Sequence, residues 1–543
     1  MIKYLRGIIG VAADSLDYPD TDFTVERPKL DEHGNYSTNI ALTLTKPLRR
    51  NPMEIAEAIL DELEYDETIV DEVKIAKPGF INFYLSKDYF RQQLKVIHTQ
   101  GDDFGKHPRK ENPTALVEFV SANPTGPLNI GHGRQAVLGD TIANFLEWNG
   151  YAVSREYYYN DAGRQMRVLA ESVKSRYYEL LDENFPFPED GYQGEYIRDI
   201  AQTLIDKHGD ELLKSDSLDP FLEEAENVVF ADINGTLERL GIEFDTYYNE
   251  RSLYDDGAIE RVLSTFKEKG HSYEEDGAVW FKATDFGQDQ DRVIVKSSGE
   301  PTYRLPDMAY HTTKIERGFD RIIDLFGADH HAAYPDVMAG LQALGYATDN
   351  IEVYLHQFVT LVRDGKQMKM STRKANYVTL DELMAEVGVD VIRYFFNMRT
   401  MNSHLNFDLD LALKQSDENP VFYLQYGHAR ICSIFKKAEE RGVEPPDSAP
   451  DLSVIGEPEE IDLIEKMLEF PEIIASCGQT LEPVQLCQYL QDLATALHKF
   501  YTECIVISDD VKLTQARLYL IEATRIVLAN GLTVLGITAP ERM

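Results

Sequence analysis

Between residues 117 and 140 the chain reads V-E-F-V-S-A-N-P-T-G-P-L-N-I-G-H-G-R-Q-A-V-L-G-D. The apolar run over 115–120 has the length and composition of a buried strand. The Gly/Pro-punctuated stretch 123–128 is a turn, and a helix opens near Gly131. That helix carries two adjacent rows, Val137, Thr141 and Phe145 beside Leu138, Ile142 and Leu146, and Asn149-Gly150 closes it with a left-handed cap. A strand that delivers a small-residue turn to a helix N-terminus is half of a parallel strand–helix–strand unit. Free backbone N–H groups and the helix dipole make such a turn an anion site; Gly131 lets a ligand approach the backbone and His132 adds a donor.

The pattern recurs. Residues 152–159, 321–326 and 351–355 are further strands separated by helical segments, and 292–295 is read as another of the same series. The expected fold class is α/β: a Rossmann-like doubly wound parallel sheet with ligands at its carboxyl edge. It is flanked by an N-terminal α+β domain and a C-terminal all-α helical bundle. A chain of 543 residues exceeds a single core. The expected limits are 1–105 for the N-terminal domain, 106–376 for the catalytic domain, 377–418 for a linking segment and 419–543 for the bundle. The N-terminal domain has an amphipathic helix within 1–14 and two strands within 73–85 broken at Pro78-Gly79. The stretch 179–285 is acidic and Pro-interrupted, with helical runs near 197–213 and 221–240.

A net charge of −39 argues against binding nucleic acid by bulk attraction, so an RNA partner has to be met by local basic and aromatic patches. No apolar run approaches the ~18 residues of a membrane span. Cys432, Cys477, Cys487 and Cys504 fit neither a zinc site nor a disulfide framework, and reduced thiols point to a cytoplasmic protein. A monomer is expected.

The string N-P-T-G-P-L-N-I-G-H-G-R (123–134) resembles the HIGH signature of class I aminoacyl-tRNA synthetases, in the form found in arginyl-tRNA synthetases. Asn129 stands where that family has its first His; an amide donates a hydrogen bond but carries no charge. Y-N-D-A-G-R-Q (159–165) resembles the family at the same place, and 179–285 resembles the connective insertion that splits class I catalytic domains, with Y-Q-G-E-Y-I (192–197) as the matching part. R-D-G-K-Q-M-K-M-S-T-R-K (363–374) resembles its KMSK loop, with Lys369 as the first Lys and Thr372 in place of the second. G-N-Y-S-T-N-I-A-L (34–42) with P-G-F-I-N-F (78–83) resembles the family's N-terminal tRNA-contacting domain. N-P-V-F-Y-L-Q-Y-G-H-A-R (419–430) and the terminal A-P-E-R-M resemble its anticodon-binding bundle.

The resemblance implies activation of arginine by ATP, accompanied by Mg2+, and transfer to a cognate tRNA. It implies catalytic roles for Asn129, Gly131, His132, Lys369 and Ser371. ATP contact falls to Pro124, Thr125, Gly126, Gly131, His132, His330 and Lys369, and arginine contact to Glu118, Asn123, Tyr303 and Asp307. No protein metal site is expected. A guanidinium calls for carboxylates in a partly dry cleft, and Tyr303 and Asp307, four residues apart, can line one pocket. Glu118 inside V-E-F-V is costly without a partner. Asp307 is otherwise a helix cap after Pro306; His330 and His331 either meet ATP or cap a helix. Tyr423, Tyr426 and Arg430 are the tRNA-binding set, by stacking on unpaired bases, unless the tyrosines simply pack the bundle.

Overall fold

The computed structural model describes residues 1–109, 111–161, 163–368, 378–446 and 448–543. Its centre is a five-stranded parallel sheet in the spatial order Ile351–His356, Arg321–Gly327, Thr114–Glu118, Ala152–Tyr159, Thr246–Asn249. The signature strand Thr114–Glu118 lies in the middle. The helix Ile130–Trp148 follows it and is buried nearly all round, so its two apolar rows pack against neighbours on every side. Its approach to the strand is close: a Cβ on Gly139 would lie 2.2 Å from Phe119, so only glycine permits the crossing.

Two expectations about strands are corrected. Arg292–Val295 is a strand, but it pairs antiparallel with Ala278–Phe281 in a separate three-stranded sheet completed by Ser272–Glu275. Its place in the parallel sheet is taken by Thr246–Asn249, inside the stretch read as a helical insertion. The helices Glu195–His208 and Asp219–Arg239 of that stretch pack on Gly163–Leu180 and share the main core.

The N-terminal unit has its own four-stranded sheet and its own core, which runs from Leu5 to Phe83. The next helix, Lys87–Gln100, packs instead on Pro458–Leu468 and Val511–Val534 of the bundle, with Phe90, Leu94 and Ile97 in the main core. The N-terminal unit also docks on the bundle through Arg27, which meets Glu465 at 3.1 Å and Glu472 at 3.4 Å.

Five long helices, from Pro420–Glu440 to Val511–Val534, make the C-terminal bundle. Buried Arg393 locks it to the signature helix: it pairs with Asp140 and donates to the carbonyls of Leu535 (2.8 Å) and Leu240 (3.0 Å). Among the described residues no helix is long and apolar enough to cross a membrane.

Candidate active site

A cleft of about 620 Å³ opens at the carboxyl edge of the parallel sheet. Its walls bring together Glu118, Asn123, Asn129, Gly131, His132, Tyr303, Asp307 and His330. Pro124, Thr125 and Gly126 lie in the adjoining turn, where Tyr196 donates its hydroxyl to the Thr125 carbonyl at 2.7 Å. Lys369 and Ser371, with Thr372 to Lys374, lie outside the described residues. Thr379, just beyond them, bridges to Asn129, and the Leu380 N–H reaches the Leu128 carbonyl at 2.9 Å.

The signature turn is strained. The strand ends at Glu118, and Val120 and Ser121 follow with φ of 67° and 42°. A β-branched residue in the left-handed region is a genuine outlier of the sort found at functional sites. Ser121 anchors the turn: its Oγ donates to Glu118 at 2.8 Å and accepts the Tyr158 N–H at 3.2 Å.

At the helix N-terminus Asn129 and His132 cap each other. The Asn129 Oδ1 accepts the His132 N–H at 3.0 Å, and the His132 Nδ1 faces the Asn129 N–H at 3.3 Å. An Nδ1 that accepts leaves the imidazole proton on Nε2. Burial pushes the His132 pKa down to about 4, so the ring is a neutral donor, not a cation.

The opposite wall is acidic. Burial raises the Asp307 carboxyl to about 7, with Glu118 and Glu250 adding to the rise and His311 and Lys314 opposing it. Burial likewise raises Glu250, whose oxygens accept from the Tyr158 hydroxyl (2.6 Å) and Asn160 Nδ2 (2.8 Å), both neutral donors. Neither acid makes an ion pair among the described residues. Tyr303, 56% exposed, stands at the rim. Asn123 bridges the turn to the next strand end, accepting the Asn160 N–H and donating to Gln165, each at 3.0 Å.

Glu118 is only 2% exposed, and Lys314 Nζ sits against Oε2 while Ser121 holds Oε1. Its carboxylate thus borders the cleft with a cation already beside it. His330 borders the cleft with its ring stacked on Phe326 at 5.2 Å; His331 does not border it.

Tyr423, Tyr426 and Arg430 lie away from the cleft, on the first helix of the bundle. Tyr423 is half-buried and stacks on His498 at 4.9 Å, whereas Tyr426 and Arg430 are exposed. Tyr426, 39% exposed, is in looser ring contact with Phe422 at 6.1 Å and His498 at 6.4 Å.

Comparison with known proteins agrees along the whole chain. The model described as "tRNA synthetases class I (R), catalytic domain" matches residues 93–401, "Arginyl tRNA synthetase N terminal domain" matches 3–85, and "DALR anticodon binding domain" matches 424–543. Proteins named arginine–tRNA ligase from Salinibacter ruber and Desulfotalea psychrophila are each 52% identical, covering 100% and 96% of this chain and 100% and 95% of their own. The chain belongs to the arginyl-tRNA synthetases. The solved arginyl-tRNA synthetase of Thermus thermophilus shares the fold, with a TM-score of 0.78 over 100% of both chains at 23% identity.

Within this arginyl-tRNA synthetase chain, residue-by-residue reading missed Glu250. It follows the strand Thr246–Asn249, itself unrecognised, so nothing placed it at the carboxyl edge. The Y-Y-N-E sequence, a polar end to an aromatic strand, was the available signal. Missed too was the charged inner face of the helix Arg304–Glu316, where His311 and Lys314 are buried.

Proposed function

We infer that the protein is an arginine–tRNA ligase. It activates L-arginine with ATP to arginyl-adenylate and pyrophosphate, then transfers the arginine to the terminal adenosine of its cognate tRNA. One observation carries the assignment of the pocket: Asp307 and Glu250 share one cleft beside the N-terminus of the signature helix, and among the described residues neither makes an ion pair. Two desolvated carboxylates with neutral donors suit a forked guanidinium, which supplies the missing charge and several N–H groups at once.

On this reading the guanidinium lies between Asp307 and Glu250, Tyr303 covers it, and Asn123 faces the amino acid's α-amino or carboxylate group. That points the substrate carboxylate toward the α-phosphorus. The triphosphate lies along the turn of Pro124, Thr125 and Gly126, against Asn129, the Gly131 backbone and the His132 Nε2–H, with His330 beside it. Nucleotidyl transfer asks for positioning and for charge on the leaving phosphates more than for covalent chemistry. Since His132 is neutral, positive charge is assigned to Lys369, with Ser371 as a further donor. Mg2+ would arrive with the triphosphate. Among the described residues no group of three His, Cys, Asp or Glu is placed to hold a metal ion.

Tyr426 and Arg430, with Tyr423 behind them, are assigned to the tRNA. The proposed units are the N-terminal tRNA-contacting domain, the catalytic domain with its insertion, the linking segment and the anticodon-binding bundle, working as a cytoplasmic monomer. The test is ATP–pyrophosphate exchange across a panel of amino acids, with and without tRNA. Arginine, and no other amino acid, should support exchange, and only with the cognate tRNA present; exchange with a different amino acid contradicts the assignment.

A further inference from the structure

Three acids lie abreast across the centre of the parallel sheet: in register, Asp324 pairs with Glu118 and Glu118 with Glu156. Each is at most 2% exposed. Neighbouring side chains in register point to the same face, so like charges would repel strongly there without cations. The helix Arg304–Glu316 and its cap residue supply them. Arg317 takes Glu156 at 2.5 Å; Lys314 takes Glu118 and, at 2.6 Å, Asp324. The Lys314 ammonium also lies 4.3 Å from the Tyr310 ring centre.

Both arms of Lys314 end at the cleft. Through Glu118 it holds Ser121, the anchor of the strained turn that leads to Asn123. Through Asp324 it reaches His311, whose ring lies between Asp324 Oδ2 (3.0 Å) and the Asp307 carbonyl oxygen (2.7 Å). Lys314 itself is fully buried and does not line the cleft; it meets the lining from behind, at Glu118 and Tyr310.

We propose that Lys314 is a positioning residue for the arginine site: a buried cation that removes Glu118 and Asp324 from the charge balance of the cleft, pins the signature turn, and leaves Asp307 and Glu250 to be met by the substrate. The proposal rests on the reading that those two acids receive the guanidinium. The charged and titratable groups facing Asp307 are His311 and Lys314 on its own helix, Glu118 from the central strand, Tyr158 from the next, and Glu250 beyond the edge strand. His132 and His356 stand across the cleft.

Glu118 and Lys314 act on Asp307 in opposite directions, which gives a signed test. The affinity for arginine is measured by calorimetry against pH for the full-length protein and for Glu118→Gln, Lys314→Met and the double variant. Arginine binding weakens as Asp307 takes up a proton on the acid side. Glu118→Gln should move the midpoint of that loss down, and Lys314→Met should move it up, each by about one pH unit. The double variant should bring it back to the wild-type position, while the pH dependence of ATP binding stays in place. A purely structural role would weaken both ligands without moving the midpoint. Glu118→Gln keeps an acceptor for Ser121, so it decides the matter even where Lys314→Met fails to fold. An unmoved midpoint, with arginine binding weakened at every pH, would put Glu118 on the substrate and overturn the proposal. Failure of the underlying reading looks different: Asp307→Asn would bind arginine as wild type does.

Discussion

Two sets of carboxylates meet at this cleft. Asp324, Glu118 and Glu156 sit under the cleft, fully paired with Lys314 and Arg317. Asp307 and Glu250 sit in the cleft with no ion pair among the described residues, and burial holds both above the usual carboxylate range. The same lysine that opposes the rise at Asp307 helps hold Asp324 well below that range. Chemically alike groups thus serve opposite ends. An acid whose cation is built in is part of the scaffold; an acid that lacks one is a place for a cationic ligand. Composition says nothing of this division, because it depends on which face of the helix Arg304–Glu316 each acid meets.

The largest expected effect lies in the paired set. Lys314→Ala leaves two buried carboxylates without their lysine and should cost about 3–5 kcal/mol in urea unfolding. A loss below about 1 kcal/mol would mean that the row of acids is not held as the structure has it.

The open set should behave in reverse. Asp307→Asn is expected to lower kcat/KM for arginine by about two orders of magnitude or more, with the KM for ATP nearly unmoved. It should not destabilise the protein. The folded-state value of Asp307, about 7, lies above its unfolded value, so its ionisation costs stability progressively between about pH 4 and pH 7. The asparagine variant should therefore gain in Tm over wild type as pH rises through that window. A loss of Tm at neutral pH would place Asp307 among the scaffold acids.

Across the cleft, His132→Ala should lower the activation rate by about 10²-fold, the usual worth of one positioned donor. Because His132 titrates near 4, its contribution should be flat across neutral pH, unlike the acid-side fall that Asp307 imposes on arginine binding. A rate that follows a group titrating near neutrality in wild type and not in His132→Ala would mean that the ring works as a cation.

The smallest contrast is in the bundle. Tyr426→Ala should weaken tRNA binding by about 1–3 kcal/mol, the range for one stacked base, with little loss of stability. Tyr423→Ala should do the reverse, since its ring is already stacked on His498.

Much of this architecture was legible in the sequence. The strand–turn–helix at 115–149 needs its Pro and Gly residues where they stand, and its apolar rows leave no other fold for it. Ala152–Tyr159 and Ile351–His356 were also legible, being β-branched and aromatic stretches between helices. Thr246–Asn249 was not: with four residues, two of them tyrosines, it carries no alternation to distinguish it from a loop. Arg292–Val295 was recognised as a strand but assigned to the wrong sheet, because propensity reports extended backbone and not its partner. The site was half legible. Tyr303 and Asp307 could be paired by helical spacing. Lys314 could not, since a lysine on a helix reads as solvated until a buried acid is known to face it. For the same reason the cation beside Glu118 stayed hidden: the sequence shows the cost of the buried acid and not its partner.

The most direct test is a crystal structure with arginine bound. The guanidinium should lie within about 3 Å of the carboxylates of both Asp307 and Glu250, with Lys314 still seated on Glu118 and Asp324. A guanidinium found on Glu118, with Lys314 displaced, would contradict the division between the two sets of acids.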